Sequence, residues 1–173
     1  MAPLGNMTMI MRFELPAEPG GEPVFGQADG WGVTPGFARA LGLRVKSGRF
    51  LEAGDVTSGT QALVVNEEFV RLYLADGKPA VGRRLPGFYD ERERITEIVG
   101  VVGNVLKDGP RRPPRPEIYR VAPGNMGSFQ QPYLLVRTAG DPLALVPDLR
   151  RLVREIEPRA ALDNVDRLTG RLS

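Results

Sequence analysis

Acid–base and nucleophilic chemistry needs side chains that this chain largely lacks. It has no His and no Cys, which excludes a Ser-His-Asp triad, a Cys nucleophile and any zinc site built from His or Cys. Lys46 stands beside Ser47, but adjacent residues on a strand point to opposite faces, so a Ser–Lys pair is not expected. Paired carboxylates remain: Glu52 with Asp55, Glu67 with Glu68, and Asp90 with Glu91. Two such groups can divide acid and base roles or hydrolyse a glycosidic bond. Each pair also has a plainer origin, respectively a turn, a helix N-terminus and a solvated loop. Gly100-Val-Val-Gly103-Asn104 follows an apolar run but lacks the spacing of phosphate-cradling loops. No loop has the oxygen-ligand spacing of a Ca²⁺ site. The residues therefore predict no catalytic, cofactor-binding or metal-binding side chains.

The elements that would position these residues follow from periodicity. Met7, Met9, Met11 and Phe13 alternate with Thr8, Ile10, Arg12 and Glu14, which predicts a strand with one buried face and the methionines as core filler. Residues 17–23 read as a loop and 27–33 as a second strand. Thr34-Pro35 opens a helix carrying Phe37, Ala40 and Leu41 on one face, and Gly42 ends it. Residues 43–50 and 62–65 read as strands. Asn66 caps a helix that carries Phe69, Val70 and Tyr73 inward, with Glu67 and Glu68 in its first turn. The β-branched run 95–105 is the best central strand, and Gly100 and Gly103 mark a bulge or a close backbone approach. Strands are expected at 117–121 and 133–138. Asp141-Pro142 starts a helix with the stripe Leu145, Leu149, Leu152, Val153 and Ile156. Pro147 kinks it or moves its start forward, and Glu157-Pro158 stops it. A strand at 161–165 would complete a right-handed βαβ unit. Antiparallel and βαβ signals together give an α+β class with mixed sheets. Trp31, Phe37, Phe50, Phe69 and Tyr73 are assigned to the core.

At 173 residues the chain can form one domain or two small lobes. With 23 basic and 21 acidic residues its charge is only +2, too weak a field to predict nucleic acid as a partner. The sequence shows no run of about 18 apolar residues and no signal-peptide pattern at its start. Pro110-Arg-Arg-Pro-Pro-Arg-Pro116 should be stiff and extended, displaying Arg111, Arg112 and Arg115 to an acidic partner or simply to water. Phe88, Tyr89, Met126 and Phe129 lie in Gly/Pro-rich segments. With the three arginines they are the candidate partner-contact residues.

An ordered series of motifs adds a family resemblance. Val33-Thr-Pro-Gly-Phe-Ala-Arg-Ala-Leu-Gly42 is followed by Gly48-Arg-Phe50, Glu52-Ala-Gly-Asp55 and Ala62-Leu-Val-Val-Asn-Glu-Glu-Phe69. Gly82-Arg-Arg-Leu85, Ile98-Val-Gly-Val-Val-Gly-Asn-Val105, Pro116-Glu-Ile-Tyr119 and Val136-Arg-Thr-Ala-Gly-Asp-Pro142 come next. Arg150-Arg-Leu-Val-Arg154 and Glu157-Pro158 close the series. It resembles the periplasmic core domain of MacB-type ABC transporter permeases, and its flavour is that of the second copy in permeases with duplicated domains.

The resemblance implies one such domain over residues 1–173. A membrane-proximal βαβ lobe would comprise 1–23 plus 132–173, and an outer α/β lobe, 24–131, would be inserted into it. It implies an inner-membrane protein with this domain on the extracytoplasmic face, between transmembrane helices. A cytoplasmic subunit or domain would hydrolyse ATP, and this domain would couple that motion outward as part of efflux or export. It would have no catalytic centre and no cofactor. The implied partners are the rest of the permease, a periplasmic adaptor protein or the substrate, and a second copy in a dimer. The family domain usually begins with a strand and a helix ahead of the position of Met7, so the chain is expected to be truncated there or a solitary derivative, with an open sheet edge. A free-standing soluble binding module is the alternative, and a carboxylate-pair hydrolase is the enzymatic one.

Overall fold

The computed structural model describes residues 9–15, 22–55, 60–85, 95–105, 112–122 and 133–168. Among these residues seven strands form one mixed sheet. They are β1 (Met9–Leu15), β2 (Val24–Val33), β3 (Val45–Gly48), β4 (Thr60–Asn66), β5 (Arg84–Leu85), β6 (Ile95–Val102) and β7 (Glu117–Val121). The order is β1-β2-β7-β4-β6-β3, with β5 also paired to β6. β1 and β2 run antiparallel, β2 and β7 parallel, and β4 and β6 parallel. β1 thus joins through β2 the sheet formed by the expected outer lobe.

The alternation expected of strands sorts the side chains onto two faces. Leu63, Val65, Ile98 and Ile118 join Met11, Phe13, Leu15 and Phe69 on one face. The helix α2 (Glu67–Tyr73) closes this layer, and the rings of Phe13, Phe69 and Tyr73 meet at 5.0–5.2 Å. Ala62, Val64, Val102 and Tyr119 join Trp31, Val33, Phe37 and Leu41 on the other face, beneath α1 (Phe37–Leu41). β4 contributes to both layers and is buried on both, as a central strand should be. Of the methionines, Met11 is core and Met9 is 42% exposed; Met7 lies outside the described residues.

Gly100 makes the bend predicted for β6. Leu63 pairs Ile98 but Val64 pairs Gly100, so the register shifts there. A Cβ on Gly100 would overlap the carbonyl oxygen of Arg49. Gly42 ends α1 in the left-handed region, φ 77°. Thr34 is not the cap of α1: its backbone carbonyl accepts from Phe37 N–H, and Gly36 holds the cap position without a side-chain bond.

The last segment departs from expectation. Residues 133–138 and 161–165 are not strands, and the βαβ unit is not formed. A strand exists only where a neighbour takes its main-chain hydrogen bonds, and among the described residues none lies beside either stretch. The helix between them does form. Asp141 accepts from Leu143 N–H and starts a 3-10 turn, Pro142–Leu145. This passes into α3 (Val146–Ile156), so Pro147 moves the α-helical start forward and sits in the first turn. Glu157 ends it as predicted. None of its residues is buried; Leu152 is 46% exposed and Ile156 84%. Arg137 Nε donates to Ala40 O, and Leu135 and Leu168 pack against the Trp31 layer.

Candidate functional site

Of the groups that suggested chemistry, Asp55, Glu67, Glu68 and Lys46 are held in structural pairs. Asp55 accepts from Arg49 Nη2 and Nη1, at 2.7 and 2.8 Å, and also from Glu52 N–H at 2.7 Å. The Arg49 hydrogen bonds, more than charge alone, hold the Asp55 carboxyl below its ordinary value. The neighbouring Glu52 side chain is 70% exposed. The pair is therefore a turn lock for Gly48-Arg49-Phe50 and Glu52-Ala-Gly-Asp55, which explains that spacing. Glu68 accepts Arg71 at 2.6 and 2.8 Å and is likewise held low by those bonds. Glu67 faces Lys46 at 3.3 Å, so Lys46 is engaged with an acid across the helix–strand junction. Asp76 binds Arg83 and is also held low. Asp90 and Glu91 lie outside the described residues, within which no group of three or more acidic side chains gathers that could hold a metal ion.

A buried, hydrogen-bonded polar site lies at the corner where β4, β7 and α2 meet. Asn66 is fully buried and uses its amide three ways. Its Oδ1 accepts Phe69 N–H at 3.0 Å, the predicted cap, and also Glu117 N–H at 2.9 Å. Its Nδ2 donates to Arg115 O at 2.8 Å. One side chain thus fixes the start of a helix and the entry to a strand 51 residues away. Asn104 Oδ1 supports the same helix end by accepting Glu68 N–H at 2.9 Å. Sequence reading found the Asn66 cap because capping is local. The bonds to residues 115 and 117 have no local signature.

Next to this corner, parallel pairing sets Asp29 beside Glu117 and Trp31 beside Tyr119. All four are buried. Tyr119 donates to Glu117 Oε2 at 2.6 Å, and its ring stacks on Trp31 with centroids 6.0 Å apart. Burial pushes the Tyr119 hydroxyl well above its ordinary value, and the Glu117 and Asp29 carboxylates raise it further. The phenol is held as a proton donor and cannot serve as a base. This buried acidic corner was missed by sequence reading. The available signal was Glu117 directly before the apolar Ile118-Tyr119, on a strand buried on both faces.

Among the candidate contact residues, Arg112 is exposed and Arg115 largely so. Arg115 Nε lies 3.7 Å from Asp29 Oδ2, at the mouth of the buried corner. It leads the chain into β7, where Pro116 O accepts Asp29 N–H. Phe88, Tyr89, Arg111, Met126 and Phe129 lie outside the described residues. The exposure of apolar side chains in the last segment was not foreseen: Leu134, Leu143, Leu152 and Ile156 are each more than 40% exposed. No helix among the described residues is long and apolar enough to cross a membrane.

The MacB-like periplasmic core domain family matches residues 8–152. The chain belongs to that family. Its fold is similar to the periplasmic region of MacB from Actinobacillus actinomycetemcomitans, with a TM-score of 0.56 at 15% identity. That likeness covers 86% of this chain and 64% of the other, so the chain spans less than two thirds of that relative. A domain of a putative permease from Porphyromonas gingivalis gives 0.53 at 13% identity, over 94% of this chain and 77% of the other. The extracellular domain of the noncanonic ABC-type transporter YknZ from Gram-positive bacteria gives 0.50 at 15%, over 88% and 74%. At these identities the likeness is one of fold. No curated protein matches the chain. The mixed sheet with few helices is the fold that the motif series implied.

Proposed function

We propose that this chain is an extracytoplasmic, non-enzymatic part of an ABC-type export or efflux permease, carrying movement driven by cytoplasmic ATP hydrolysis to a partner outside the membrane. The family match over residues 8–152 carries this reading. The geometry agrees with it. Among the described carboxylates, Asp55 is bound in a turn lock and Glu67 and Glu68 are paired at a helix start, and the sheet is packed on both faces. Such a body moves as a unit, which suits transmission of a displacement. In this reading residues 1–23 and 132–173 lie nearest the membrane and 24–131 project outward. β1 then sits at the seam, and its register with β2 ties the two parts. The exposed strap at Arg112 and Arg115, with Phe88, Tyr89, Arg111, Met126 and Phe129, is offered to an adaptor or substrate. A place as the second of two such domains in the permease belongs to the same reading.

The test is fractionation of native cells with an antibody raised against this chain. The expected result is a band in the membrane fraction, much larger than 18.9 kDa. A soluble band at 18.9 kDa would overturn the permease reading in favour of a free binding module. A stoichiometric ATPase activity of the purified chain would overturn the non-enzymatic one.

A further inference from the structure

The two edges of the sheet differ in kind. β3, at one end, has four residues, a register shift between Val45 and Ser47, and Lys46 on its length. Shortness, a bulge and a lysine are ways in which sheets block edge-to-edge pairing. β1, at the other end, has seven residues and one unbroken register with β2. Among the described residues no strand lies on its outer side.

Hydrogen-bond parity shows what β1 presents there. On β2, Asp29 N–H and Val33 C=O bond toward the β7 side. Gln27 turns the same way, and Tyr73 Oη takes the place of a strand by bonding both its N–H and its C=O. The even-numbered residues of β2 therefore face β1, where their partners are Met9, Met11, Phe13 and Leu15. The main-chain groups of Ile10, Arg12 and Glu14 consequently point outward. Their side chains share one exposed face, while Met11, Phe13 and Leu15 lie in the core layer beneath.

We propose that a second copy of this chain pairs with β1 in antiparallel fashion, about a two-fold axis at Phe13. Each Arg12 then faces Glu14 of the second copy, so the edge is complementary to itself in charge. The outward main-chain groups of Arg12 and Glu14 meet as a hydrogen-bonded pair, as the parity demands. Beneath them Met11 meets Leu15 of the second copy and extends the apolar layer. An axis at Arg12 would set two guanidinium groups side by side, and an axis at Met11 would leave Arg12 against Ile10. Charge selects the axis at Phe13. This proposal is independent of the permease reading and stands or falls separately.

The test is sedimentation of the 173-residue chain over a concentration series. A reversible monomer–dimer equilibrium is expected, and a weak one, because a single strand pair buries less than a standard interface. Arg12→Glu sets acid against acid, and Glu14→Arg base against base. Each should weaken the dimer about tenfold or more. Both sites are exposed, so the far-ultraviolet circular dichroism should stay the same. Mixing the two single variants restores opposite charges at every pair and should restore dimers, as should the double variant Arg12→Glu/Glu14→Arg. A chain that stays monomeric throughout, a dimer indifferent to both reversals, or a mixture no stronger than its components would each overturn the proposal.

Discussion

Asn66→Ala should be among the most damaging single polar substitutions in this fold. The side chain is fully buried and makes three bonds, to Phe69 N–H, Glu117 N–H and Arg115 O. Losing the helix cap costs about 1 kcal/mol. Leaving the buried Glu117 N–H without its acceptor costs about 1–3 kcal/mol more. The Arg115 carbonyl belongs to a largely exposed residue and can regain a bond from water, so it adds little. The total is about 2–4 kcal/mol. For a chain of this size, that lowers the thermal midpoint by about 5–15 °C. Urea unfolding followed by tryptophan fluorescence is a suitable assay, since Trp31 is the single tryptophan and is buried beside this corner. The midpoint should fall with the slope unchanged. Asp141→Ala is the control. Asp141 also caps a helical turn, through Leu143 N–H, but its side chain is 55% exposed; its loss should cost about 1 kcal/mol or less. If the two substitutions cost the same, Asn66 is only a cap, and its link to the β7 entry contributes nothing.

Gly100→Ala drives a Cβ into the Arg49 carbonyl and should cost about 1–3 kcal/mol or more. Gly36→Ala meets open space and should stay within about 0.5 kcal/mol in the same unfolding assay. Acid should weaken the fold in a definite window. Asp55, Glu68 and Asp76 are held low by hydrogen bonds from Arg49, Arg71 and Arg83. The unfolded chain therefore binds more protons than the folded one, and the contribution is complete above the ordinary carboxylate range. It is lost as pH falls through the lowered values, and Arg49→Gln should flatten that acid limb in thermal melts taken across pH. Ile156→Ser and Leu152→Ser should each cost less than about 0.5 kcal/mol in urea, because both side chains are exposed on α3. Leu63→Ala, at a fully buried position, should cost about 2–5 kcal/mol. Equal losses at Ile156 and Leu63 would mean that the α3 stripe is buried after all.

What the sequence determined was local. Alternation placed β1, because side chains on a strand turn over every residue, and short apolar or β-branched runs placed β4 and β6. Asn66 and Asp141 announced helix starts, and Gly42 an end, because caps act within a few residues of themselves. The Gly100 bend was legible as well, since only glycine admits another backbone so closely. Tertiary structure decided everything that depends on a neighbour. Residues 133–138 and 161–165 have strand-like composition, yet among the described residues they have no partner strand and stay irregular. The α3 stripe has helical periodicity, but periodicity states which face is apolar and not what covers it. The Asp29–Glu117–Tyr119 corner comes from a parallel register between segments almost ninety positions apart. The Asn66 bond to Glu117 comes from the same long-range assembly. Whether Arg12 and Glu14 face water or a second copy is likewise a matter of sheet order, because the chain's own pattern cannot say which strand lies at an edge.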